Sequence, residues 1–261
     1  MNLINKILIP IDFSDSSINA FHYAVSLVRN DRSIQITLLH VIERDDNPVE
    51  MMEAMSQFDT LKSYIPEYVD HLNIIVKHGR MIDTIVETTE ELEPKIVLMG
   101  TKGKSKSLMH SESNTSLLVK KLDRSVLVVP QTVTDYQIKE IAVAYDQSVA
   151  EPSGLSVVHD LARWFGAKVH ILTVGENKTA NSQGRSEMED TLGYYMDTLD
   201  YTYQFEENED IVEGISHYID ENHINMLAIL PNTHAEEGKS SKGSLTRVLT
   251  LQSKIPLLII D

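Results

Sequence analysis

Cysteine is missing from all 261 residues, so no disulfide, thiolate ligand or sulfur nucleophile is open to this chain. That absence agrees with a cytoplasmic protein. Long apolar runs are missing too. None approaches the ~18–20 residues that a spanning helix needs. Lys6 and Asp12 stand within the first apolar stretch, which reads as a strand rather than a signal peptide. Positive charge is scarce, with 23 Lys+Arg against 39 Asp+Glu and a net charge of −16. A surface this acidic repels nucleic acid and anionic lipid, so neither is expected as a partner. The imbalance is uneven: 14 basic and 18 acidic residues up to position 130, then 9 and 21 beyond it.

Several signatures of binding and catalysis are also absent. Gly103-Lys104-Ser105 and Gly238-Lys239-Ser240 look like the tail of a Walker A loop, but Leu98 and Thr233 occupy the position of its first glycine. No Gly-x-Gly-x-x-Gly occurs, which argues against a dinucleotide site. Ile74-Ile75-Val76-Lys77-His78-Gly79 offers no acceptor aspartate of the phospho-receiver kind. The ten histidines form no metal-spaced pair, so no protein-held metal is expected. Aspartate, serine and histidine occur, but nothing fixes a catalytic geometry for them, and no catalytic residue is identified.

What the chain does contain, it contains twice. Lys6-Ile7-Leu8-Ile9-Pro10-Ile11-Asp12 returns as Glu140-Ile141-Ala142-Val143-Ala144-Tyr145-Asp146, each followed two residues later by a serine, Ser14 and Ser148. Leu38-Leu39-His40-Val41 returns as Ile171-Leu172-Thr173-Val174. Ile96-Val97-Leu98-Met99 returns as Leu227-Ala228-Ile229-Leu230, and Val126-Leu127-Val128-Val129 as Leu257-Leu258-Ile259-Ile260. The spacing of the echo shrinks by only a few residues along the chain. A repeat this long is a whole domain rather than a solenoid unit. The expected organisation is a first domain over 1–130, a linker over 131–137 and a second domain over 138–261.

Within the first copy the hydrophobic period alternates. Strands are expected at Lys6–Ile11, Ile34–Val41, Leu72–Lys77, Lys95–Met99 and Ser125–Val129. Helices are expected over Ser14–Asn30 behind a serine or aspartate cap, over 48–66, Met81–Glu91 and Ser113–Leu122. In the second helix Met51, Met52, Met55 and Phe58 read as core, although methionine-rich helices also serve adaptable contacts. Strands that are apolar throughout and separated by helices imply an α/β fold with a parallel sheet covered on both faces. Right-handed crossovers restrict it to a doubly wound order such as 3-2-1-4-5.

In such a sheet the ligand crevice lies at the carboxyl ends of the strands, where the winding reverses. Asp12 closes the first strand, and Gly100-Thr101-Lys102-Gly103 closes the fourth, its neighbour in that order. The helix beginning near Ser113 adds a positive N-terminal end. With these residues the chain closely resembles the universal stress protein family in its tandem form. The resemblance rests on Ile7–Ser14, Leu39-His40-Val41, Met99–Gly103, Ser113-Asn114-Thr115 and Val126–Pro130. Nucleotide-binding members carry Gly-x2-Gly-x9-Gly-Ser/Thr, and by resemblance Asp12 and Val41 face an adenosine while the glycines hold phosphates. The implied site comprises Pro10, Asp12, Val41, Met99, Gly100, Gly103, Ser113, Asn114 and Thr115. It would take ATP or a related adenine nucleotide, with magnesium entering only as the companion of ATP.

The first copy departs from the pattern at the third glycine, where Ser113 or Glu112 stands according to the alignment chosen. Lys102, Lys104 and Lys106 lie nearby to offset a carboxylate. The second copy keeps Asp146, Val174 and a Gly243-Ser244 step but carries Pro231 and His234 at the two leading glycines. Proline has no N–H to offer a phosphate, so the second copy is expected to be degenerate and structural. The leading reading is therefore a non-enzymatic stress-response regulator that binds an adenine nucleotide in its first half. One rival is a partner-interaction module that binds no nucleotide, its protein partner unknown; another is a slow ATPase or self-phosphorylating protein using the serines near the loop. Resemblance to single-domain members implies that Val126–Val129 pairs with Leu257–Ile260, so that one chain forms a pseudo-dimer, with further self-association open.

Overall fold

The computed structural model describes residues 4–29, 31–43, 48–63, 65–67, 69–102, 114–144, 155–176, 196, 198–230, 246, 248–250 and 253–260. Contacts divide the chain into two compact units, residues 2–136 and 137–261. Among the described residues no helix is long and apolar enough to cross a membrane.

The first unit runs β1 (Lys6–Pro10), α1 (Asp15–Val28), β2 (Gln35–Ile42), α2 (Pro48–Lys62), β3 (Leu72–His78), α3 (Met81–Leu92), β4 (Ile96–Thr101), α4 (Asn114–Lys121) and β5 (Ser125–Pro130). Its strands lie in the expected order β3-β2-β1-β4-β5, every pair parallel. Ile7, Leu8 and Ile9 are all essentially inaccessible, as are Ile96, Val97 and Leu98. Consecutive burial without alternation is what helices on both faces of a sheet produce. Ser14 caps α1 by accepting from Ser17 N, which satisfies one of the donors left free in the first helical turn. At the edge, β3 is only half-buried.

The second unit repeats the plan with β6 (Glu140–Ala144), α5 (Leu155–Phe165), β7 (Lys168–Gly175), β8 (Tyr201–Glu207), α6 (Ile211–Glu221), β9 (Met226–Ile229) and β10 (Leu257–Ile259). Its order, β8-β7-β6-β9-β10, is again 3-2-1-4-5 in its own count, and all four pairs are parallel. Beneath α6 the buried His170 bridges Tyr218 Oη and Glu140 Oε2, each at 2.7 Å. Burial, then the Glu140 and Glu206 carboxylates, push the Tyr218 hydroxyl up to about 12.

Two differences from the sequence reading stand out. Helix α2 ends at Lys62 rather than near residue 66, several residues ahead of Pro66, whose ring disfavours helix in the residue before it. Its core face is Ala54, Phe58 and Leu61, while Met52 and Met55 are exposed. The second difference concerns residues 131–136, expected to be linker. Asn19 of α1 donates from Nδ2 to Pro130 O at 3.0 Å and Val133 O at 3.1 Å, and its Oδ1 accepts from Tyr136 Oη at 2.7 Å. Gln131 N donates to Thr101 O at 2.8 Å, and Tyr136 lies edge-on to Tyr23. This segment is held against the first unit.

Candidate functional site

Strand β1 lies between β2 and β4, so the winding reverses beside it, and there the C-terminal strand ends open a cleft. It is lined by Pro10, Ile11 and Asp12 after β1, by Leu39, His40 and Val41 of β2, and by Met99 and Gly100 of β4. Helix starts complete it: Ser14, Ser16 and Ser17 at α1, Met81 and Ile85 at α3, and Asn114, Thr115 and Leu118 at α4. The empty space, counted out to the open side, is about 610 Å³. Seven of the nine residues expected from sequence thus line one cleft; Gly103 and Ser113 lie outside the described residues.

The polar centre of the cleft is built by local geometry. Phe13 takes a left-handed φ of 61°, which is costly for a bulky side chain. Its ring sits with centroids 4.9 Å from both His40 and Phe58. The turn folds Asp12 back over the start of α1, and Asp12 Oδ1 accepts from Ser14 N at 3.0 Å, Ser14 Oγ at 2.6 Å and Ser17 Oγ at 2.7 Å. Burial alone would raise the Asp12 pKa, but the two hydroxyls and the amide outweigh it and hold the carboxyl below the usual value. The three side-chain and amide contacts from Ser14 and Ser17 all fall on Oδ1, and among the described residues no other residue bonds Oδ2. His40 Nδ1–H donates to Ile11 O at 2.8 Å, since a carbonyl can only accept.

Gly100 has a second role that the sequence did not disclose. A Cβ there would overlap the carbonyl of Ser16 and stand 2.8 Å from Ser17 N. The bare backbone of β4 is what lets the first turn of α1 lie close enough to present its serines to Asp12. The Ser14 and Ser17 contacts were missed although a signal existed, because Asp-x-Ser-x-x-Ser places two hydroxyls at cap spacing beyond the carboxylate. Met81, Ile85 and Leu118 carried no such signal, since nothing local distinguishes a cleft wall from core.

In the second unit, the counterparts Asp146, Pro231, His234 and Gly243 lie outside the described residues. Val174, the counterpart of Val41, packs against α6, where a Cβ on Gly214 would stand 2.5 Å from its Cγ1. Among the described residues of both units, no three His, Asp or Glu side chains converge to hold a metal ion.

A family model described as the universal stress protein family matches residues 4–130, the stretch that carries this cleft. The first unit is a universal stress protein domain. A universal stress protein from Archaeoglobus fulgidus DSM 4304 is similar along the whole length, with a TM-score of 0.74 and 16% identity over 98% of each chain. A protein of Pseudomonas aeruginosa UCBPP-PA14 assigned to the same family scores 0.68 at 12% identity, over 99% of this chain and 93% of its own. At such identities the likeness is one of fold, and it extends over both units. No curated protein matches the chain.

Proposed function

We propose that the first unit binds an adenine nucleotide, ATP or a relative, as a regulatory ligand rather than a substrate. The second unit serves as a structural partner with no nucleotide site of its own. The observation that carries this reading is the ionised Asp12, held through one oxygen by Ser14 and Ser17 inside a cleft with apolar walls. A nucleoside combines those demands: a flat apolar base for Val41, Met99 and Ile85, and hydroxyl or amine donors for a fixed acceptor. At the far side Asn114 and Thr115 begin α4, whose first amides and positive end suit a phosphate. Magnesium would enter on the phosphates of the nucleotide, which is how this ion is commonly held.

Calorimetric titration of the intact protein with ATP and ADP tests the proposal. Asp12→Ala removes a charge-assisted hydrogen bond worth ~1.5–3 kcal/mol, so affinity should fall roughly 10- to 100-fold. Unchanged affinity in that variant would show the site to be misplaced. No binding to the parent protein would favour the partner-interaction reading.

A further inference from the structure

Left-handed backbone at a bulky residue persists only where its surroundings hold it. Phe13, at φ 61°, is such a residue, and it stands between Asp12 and Ser14, the cap of α1. Three rings hold the turn. The Phe13 phenyl lies tilted on His40 and edge-on to Phe58, 4.9 Å from each between centroids, and His40 meets Phe58 edge-on at 6.4 Å. His40 is fixed in its turn, because Nδ1–H donates to the carbonyl of Ile11, on the near side of Asp12. Phe58 comes from a separate element. It is wholly buried and belongs to α2, whose fifteen residues bury only Ala54 and Leu61 besides. A helix that contributes nothing directly to the cleft thus closes the turn that carries Asp12.

Among the described residues neither Phe13 nor Phe58 borders the cleft, so any effect they have on it passes through the backbone. Without its seat, Phe13 gains by relaxing to the negative φ that L side chains favour. Turning the chain at that residue swings Asp12 relative to α1, away from the Ser14 and Ser17 hydroxyls that hold Oδ1. A glycine in the same place would carry no such bias, since it takes either sign of φ about equally well.

We propose that Phe58 is a positioning residue for the cleft: packed against Phe13, it keeps the turn left-handed and so aims the Asp12 carboxylate. The seating of α2 thereby becomes part of the affinity for a ligand. For that affinity the inference rests on the nucleotide site proposed above, whereas the aim of Asp12 can be followed with no ligand present.

The test compares Phe13→Ala, Phe13→Gly, Phe58→Leu and the combination of Phe13→Gly with Phe58→Leu, each in the full chain. Leucine keeps the site apolar, so the unit folds, and removes the ring edge that meets Phe13. Two readouts are taken: the Asp12 carboxyl-carbon titration by NMR, and calorimetric titration with ATP. Phe13→Ala and Phe58→Leu should move the Asp12 titration up from its depressed position. They should also weaken ATP binding roughly tenfold, the scale of a misaimed charge-assisted hydrogen bond. Phe13→Gly should leave both readouts near those of the parent, and Phe58→Leu added to it should change nothing further. A merely structural role for the rings predicts otherwise: glycine would do at least as much harm as alanine, and Phe58→Leu would cost the same in either background. Either of those results, or an unmoved Asp12 titration in Phe58→Leu, overturns the proposal. An Asp12 that moves as expected in a chain whose parent binds no ATP would uphold the positioning role and remove the nucleotide reading instead.

Discussion

Asp12, Ser14 and Ser17 form a unit in which two hydroxyls and one amide share a single carboxylate oxygen. Its consequence is a pH dependence of known sign. The carboxyl is depressed in the folded chain, so its contribution to stability is present above the unfolded value of about 3.9 and is lost as pH falls through the folded value. Ser17→Ala removes one of the bonds that depress it. The Asp12 carboxyl-carbon shift, followed by NMR, should then titrate at a higher pH than in the parent, and the parent's advantage in stability should vanish in acid. An unmoved titration would mean that Ser14 alone sets the charge state. At this scale the sequence was legible in part. Asp12 announces itself by its position at a strand end, and Val41, Met99 and Thr115 came through the family resemblance, whereas the left-handed Phe13 beside Asp12 is a conformation that no local preference predicts.

Among the elements, the strands and helices of the first unit begin and end close to where the hydrophobic period places them, since burial on both faces leaves long apolar runs between caps. Helix α2 is the instructive departure. Its pattern has two apolar faces, and periodicity cannot say whether Met52 and Met55 or Ala54, Phe58 and Leu61 meet the sheet; packing chose the latter. Residues 131–136 escaped for a different reason. They read as a linker, yet a single side chain more than a hundred residues earlier bonds the carbonyls of Pro130 and Val133 and the Tyr136 hydroxyl. Asn19→Ala leaves those groups unpaired, at ~1–3 kcal/mol for each that stays buried. Hydrogen exchange in the 131–136 amides should accelerate by one to two orders of magnitude, while β1 and β4 keep their protection. Equal acceleration everywhere would point to global destabilisation instead of a local clamp.

For the molecule as a whole, duplication was the most legible feature, because four matched strand segments recur in the same order, and both units share one strand order. The family model matches residues 4–130, within the first of them. If the proposed site is right, binding should be unequal. Pro231 takes away one backbone donor worth ~1–1.5 kcal/mol, His234 brings a Cβ to a glycine turn at ~1–2 kcal/mol, and the second half holds most of the negative charge. A loss of about 3 kcal/mol is roughly two decades in affinity. Equilibrium dialysis with labelled ATP should therefore saturate near one equivalent per chain, and Asp146→Ala should leave the isotherm unaltered. Two equivalents of similar strength would contradict this. Gly100 suggests how such inequality becomes permanent. Its missing side chain is filled by the backbone of a neighbouring helix, so replacing it obliges that helix to retreat, and once the helix has settled elsewhere a return of glycine alone restores nothing. The matching position of the later copy is Pro231. A side chain at this place is incompatible with the helix position seen in the first unit, and because a refitted helix does not follow a single residue back, Pro231→Gly by itself should not create a nucleotide site.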